Sequence, residues 1–180
     1  MNKFYYHIYL LLILTSSSAV AQSYNPLWIP DTLTGNTFNL TVRDTFRQFL
    51  PGQQTIVGAV NGSWWGPTLI WNKGDSIQIN LQNDLMDSTT MHWHGIHLPA
   101  VADGGPHQPI APGNSWSPSF EVMNSASTYW YHPHLHMMTE EQVNMGIGGL
   151  IIVRDTIESQ LLLPRTYGVD DIPVILSDRR

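Results

Sequence analysis

Ile77-Gln-Ile-Asn-Leu-Gln82 alternates apolar and polar side chains without a break. A period of two describes a strand with one face buried and the other wet. Upstream, Phe38, Leu40 and Val42 alternate with Asn39 and Thr41 in the same way, and Thr55 to Val60 is a β-branched run. Thr68 to Trp71, Trp116 to Val122, Thr128 to Tyr131, Leu150 to Val153 and Pro173 to Leu176 read as further extended segments. Turn signals fall between them: Pro51-Gly52, Lys73-Gly-Asp75 and Asn61-Gly62, the last a favoured two-residue hairpin turn. Arg43 to Leu50 favours neither state. One helix is predicted. Thr139-Glu-Glu-Gln142 fits a capping box with Thr139 as N-cap, Glu140 and Glu141 suit the first turn, and Gly146, Gly148 and Gly149 stop it. Recurrent short strands with a single short helix predict an all-β fold, a Greek-key barrel or sandwich. Pro99 to Pro112 is a long irregular connection, the kind that is functional or mobile.

The length, 180 residues, suits one domain. Lys3, the apolar run Ile8 to Leu14 and Ala19-Val-Ala21 form the three parts of a secretory signal over residues 1–21. The apolar run is too short to span a bilayer, so no membrane attachment is expected after cleavage. The expected compartment is the periplasm or the exterior. Residues 22–36 follow as an extended leader, kept out of helix by Pro26 and Pro30, and residues 37–180 form the domain. There is no cysteine, which excludes disulfides, thiolate metal sites and a cysteine nucleophile. The net charge is −6 at pH 7 with no basic stripe, so nucleic acid is not an expected partner.

Seven of the eight histidines lie between positions 92 and 136. His92 and His94 form one His-x-His pair, and His132 and His134 form another, with His136 two residues on. Residues i and i+2 of an extended segment share a face, with backbones roughly 6–7 Å apart. Two such pairs brought together offer four neutral nitrogen ligands, a set suited to copper or zinc. Trp93 projects to the opposite face and is expected in the core. Pro133 cannot donate to a ladder, so the second pair is expected at a strand end or edge.

These residues resemble the first cupredoxin (plastocyanin-like) domain of multicopper oxidases, the family of laccases and bacterial cuprous oxidases. The resemblance is carried by Asn61-Gly, Gly66-Pro-Thr68, His92-Trp-His-Gly95, Asp103-Gly-Gly-Pro106, Trp130-Tyr-His-Pro-His134 and Gly146-Ile-Gly-Gly-Leu150. It implies that His92 binds the type 2 copper, and that His94, His132 and His134 bind the type 3 pair. Asp103 matches a carboxylate placed to relay protons, and before Gly104-Gly105 it suits a turn-forming role equally well. His136 would orient a ligand or a water from behind the copper ligands, with direct ligation the lesser alternative. The implied reaction is reduction of O₂ to water. It takes four electrons, and therefore several coppers within reach of one O₂. His97 and His107 match nothing in the family and read as loop histidines. Met123, Met137, Met138 and Met145 read as core packing.

The family also carries a type 1 copper on a cysteine, and further cluster histidines, in its last domain. A chain without cysteine has no type 1 site. Tyr167 to Arg180 resembles the junction into a second domain, so the chain is expected to need the remaining cupredoxin domains as partners and to be inactive alone. A free-standing periplasmic copper-binding or storage protein is the alternative. A cupin site would want a Glu shortly after the first pair, and Ile96 to Ala102 holds none.

Overall fold

The computed structural model describes residues 27–62 and 64–177. The signal at 1–21, the first residues of the leader and the last three residues of the expected junction lie outside the described residues. Among the described residues ten strands build two sheets: β1 (Thr32–Leu33), β2 (Thr37–Arg47), β3 (Thr55–Val60), β4 (Thr68–Asn72), β5 (Ser76–Asn83), β6 (His92–His94), β7 (Ser115–Trp116), β8 (Ser119–Glu121), β9 (Ser127–His132) and β10 (Gly149–Arg154). One sheet runs β1-β4-β10-β9-β6. The other runs β3-β2-β5-β7, with β8 also on β5. A single α-helix, α1 (Thr139–Met145), lies among the described residues between β9 and β10. The fold is all-β, as predicted.

The alternation at Ile77, Ile79 and Leu81 sets the core. All three are buried, as are Phe38, Leu40 and Val42 on β2. The strands run parallel with Phe38 opposite Ile79 and Leu40 opposite Leu81, so both apolar rows face the other sheet. Each such side chain contributes about 1.5–3 kcal/mol by leaving water. From the facing sheet Trp71 meets Phe38 at 6.2 Å, Phe120 at 5.7 Å and Trp93 at 6.2 Å between ring centroids. Trp93 also stacks on Trp116. Its burial decides the site, because a strand that turns Trp93 inward must turn His92 and His94 outward.

Several local expectations are corrected. Asn61-Gly62 has the expected positive φ at both residues, 54° and 76°, but it does not close a hairpin. The chain leaves β3 and enters the other sheet at β4, while Asn61 caps β2 by accepting from Thr41 N at 2.8 Å and donating to Asn39 O at 3.1 Å. Trp116 to Val122 is two strands, split around Ser117-Pro118, where Pro118 has no N–H for the ladder. β1 lies within the expected leader, on the β4 edge. Pro173 to Leu176 forms no strand. The 99–112 connection is pinned, with a 3-10 turn at Ala100–Ala102, buried Ala102 and Ile110, and a bridge from Ile110 to Thr89. Met123 and Met137 are exposed rather than core, Met137 sitting in the turn before α1 at φ 65°.

The capping box is replaced by a tertiary contact. Thr139 lies inside α1 and bonds back to Leu135 O, and the N-cap is Met138 with no side-chain bond. Gln142 is buried instead, accepting from Thr89 Oγ1 at 2.9 Å and donating to Ser88 O at 2.8 Å. The helix is thereby tied to the segment that leads into β6. Gln142→Leu leaves Ser88 O without this bond inside the fold and should cost about 1–3 kcal/mol. Urea unfolding of the two forms measures it.

Candidate metal centre

β6 and β9 pair antiparallel, with His92 opposite His132, Trp93 opposite Tyr131 and His94 opposite Trp130. Residues in register share a face. Trp93 and Tyr131 fill the core, so His92, His94, Trp130 and His132 stand together on the outer face of the sheet. Ring centroids are 5.7 Å apart for His92–His94, 5.5 Å for His92–His132 and 5.4 Å for His94–His132. One ring nitrogen from each of these three lies within 4.8 Å of the others, close enough to hold one metal ion.

β9 ends at His132, just before Pro133, as the missing N–H requires. His134 therefore follows off the strand. Its backbone N–H donates to Thr90 Oγ1 at 2.6 Å, which sets its ring 5.4 Å from His92 and 5.9 Å from His132. It flanks the three-nitrogen group without joining it. His136 is exposed and makes no ring contact with the four among the described residues, and His97 and His107 are exposed as well.

Hydrogen bonds fix which nitrogen of each ring is free. His132 Nδ1 lies 2.7 Å from Pro133 O, and a carbonyl only accepts, so Nδ1 carries the hydrogen and Nε2 the lone pair. His92 Nδ1 likewise lies 3.0 Å from Asp103 O and 3.3 Å from Asp103 Oδ1, leaving its Nε2 free. His94 Nδ1 then donates to His132 Nε2 across 3.2 Å. A single proton thus bridges two imidazoles at the centre of the group, and a metal cation is a natural replacement for it. Burial lowers the pKa of His132 from 6.5 to about 4; the carbonyl of Pro133 opposes this, and the neighbouring His92, His94 and His134 add to it. His132 is consequently neutral at pH 7, the form in which imidazole ligates a metal.

That shift has a stability consequence. Between pH 6.5 and 4 the unfolded chain binds the His132 proton and the folded chain does not. The stability from this site is therefore full above pH 6.5 and is lost as pH falls toward 4. His132→Gln should flatten the fall in the urea midpoint over that window, and the two pH series compared directly give the result.

Three contributors escape a sequence reading centred on histidine. Trp130 stacks on His132 at 3.9 Å and 26°, and also lies 5.4 Å from His94, so it holds both rings in place. Its signal was its position two residues before His132 on the same strand. Thr90 anchors His134 and Gln142 the approach to β6; nothing local in the sequence marks Thr90, and the local signal at Gln142 is that of a helix cap. Asp103 is brought to His92 by the 3-10 turn, which its own backbone N–H closes onto Ala100 O.

A family model described as multicopper oxidase matches residues 41–158. The multicopper oxidase mco of Staphylococcus aureus is 40% identical over 132 residues, which cover 73% of this chain and 29% of that protein. The cell division protein FtsP of Escherichia coli (strain K12) is 34% identical over 168 residues, covering 91% and 35%. Among solved structures, the bacterial laccase-like multi-copper oxidase CueO from Ochrobactrum sp. superimposes with a TM-score of 0.79 at 36% identity, covering 82% of this chain and 34% of that one. The chain spans about a third of the length of the relatives it matches.

Proposed function

Given that the chain belongs to the multicopper oxidase family, we propose that it contributes the first half of the histidine ligands of a copper cluster that reduces O₂ to water. The observation that carries this reading is the convergence of three nitrogens from His92, His94 and His132 within 4.8 Å on the outer face of a sheet. His92 would serve the type 2 copper, and His94, His132 and His134 the type 3 pair, with the remaining ligands coming from another cupredoxin domain. When bound, copper supplies the electron-transfer chemistry that no side chain here can supply.

The residues around it bind, orient and hold protons. Asp103 fixes the His92 tautomer through its carbonyl and one carboxylate oxygen, and the half-buried carboxylate can also hold a proton beside the cluster. Trp130 and Pro133 O fix the ring of His132. His136, on the exposed turn beyond, acts from behind the ligands through a water. Export through the signal at residues 1–21 would place the site in the periplasm or outside the cell. No helix among the described residues is long and apolar enough to cross a membrane.

The second reading is copper holding without catalysis; no thiolate for a type 1 site lies among these 180 residues. Copper uptake and oxygen consumption, measured on the chain alone and together with the remaining cupredoxin domains, separate the two. The catalytic reading requires copper content to rise on assembly with those domains, with oxygen consumption appearing only then. Full copper loading of the chain alone, unchanged by the other domains, would establish the storage reading instead.

A further inference from the structure

Away from the histidines, at the end of β2, the guanidinium of Arg47 lies 4.9 Å from the Trp28 ring and 5.8 Å from that of Trp64. Phe49 packs edge-on against Trp64 at 4.8 Å. Beside them opens a cleft of about 590 Å³ lined by Leu27, Trp28, Arg47, Gln48, Phe49 and Leu50. That volume falls within the range of small-ligand sites, roughly 300–1,000 Å³.

The charge in this cleft is not neutralised from within. Of the described cations, Arg154 pairs with Glu158 and Asp171, and Arg165 with Glu158, while Lys73 donates to Ser125 and Arg43, like Arg47, forms no ion pair among the described residues. Arg47 has no carboxylate within 4.0 Å among the described residues, although acidic side chains outnumber basic ones fourteen to eight in this chain. Cation–π contact with two indoles holds the guanidinium in place without using its N–H donors, which a ligand can take. Leu27 and Leu50 are exposed at 61% and 66% and Trp28 at 47%, an apolar rim around a fixed cation.

We propose that this cleft is a binding site for a small aromatic carboxylate. The anion would pair with the Arg47 guanidinium, and the ring would lie against Trp28 and Leu50. A fork of parallel N–H donors suits a carboxylate better than a single-point anion, and the apolar lining discriminates against inorganic anions.

Isothermal titration of 2-naphthoate into the chain tests this, with 2-naphthalenemethanol as the neutral comparison. Saturable binding of the carboxylate is expected, and Arg47→Gln should weaken it about tenfold or more, as expected for loss of a charge-assisted pair. Should Arg47→Gln fail to fold, Leu50→Glu decides, because it places a repelling carboxylate on an already exposed rim position. Absence of saturable binding, equal affinity for the neutral alcohol, or unchanged affinity in Leu50→Glu would each overturn the assignment.

Discussion

His94→Ala should leave this domain folded and cut the copper content of the assembled protein by about half or more, since ligand loss costs more than the 10–100-fold typical of supporting residues. His94 is exposed, so truncation opens no cavity, and any loss of metal there is loss of a ligand. His132→Ala should show the same copper loss together with reduced stability. Its ring is 5% exposed and sandwiched against Trp130, and removing it costs about 1–3 kcal/mol as a core truncation. Metal analysis of the two variants beside their urea midpoints separates ligation from folding. Unchanged copper in His94→Ala would remove that residue from the site.

Gly104→Ala should be among the most damaging single substitutions in the domain. Its φ is +70°, and a Cβ there would meet Met91 O at 1.7 Å and His92 N at 3.1 Å. Those are backbone atoms leading into β6, so no rotamer change relieves the clash. Either β6 or the Asp103 turn must move, and the 3.0 Å contact from His92 Nδ1 to Asp103 O goes with it. A cost of about 3 kcal/mol or more is expected. Gly74→Ala is the control: φ is +89° with nothing within 4 Å, so only the left-handed backbone penalty of about 1–2 kcal/mol applies. Equal midpoints for the two variants would show that the 104–91 contact is not tight.

The fold was legible where burial and local period agree. Ile77 to Leu81 and Phe38 to Val42 face a single core, and their alternation stated it directly. What could not be read were choices made by distant partners. Asn61-Gly62 carries the backbone signal of a hairpin turn, but a turn signal fixes φ and not which sheet the next strand joins. Thr139 and Gln142 fit a capping box, yet Gln142 finds better partners in Ser88 and Thr89 once the helix packs. Pro173 to Leu176 has β-rich composition but pairs with no strand among the described residues, and composition alone forms no ladder.

The candidate site was more legible than the topology. An inward Trp93 suffices to place His92 and His94 on the outer face, the second His-x-His pair marks the other ligand candidates, and Pro133 marks where β9 must end. The register of β6 on β9, which sets His92 against His132, depends on the whole sheet and could not be read locally. At Trp130 the sequence shows an aromatic on a strand, a residue type often found in the core. Here it faces outward and holds His132.

The most direct test is an anomalous difference map collected at the copper absorption edge from crystals of the copper-loaded, assembled protein. Peaks are expected in the space shared by His92, His94 and His132, with His134 at its margin, and the His94→Ala crystals should lose density there. Copper peaks at other residues, with none beside His92, His94 and His132, would contradict the assignment of this face as half of a copper cluster.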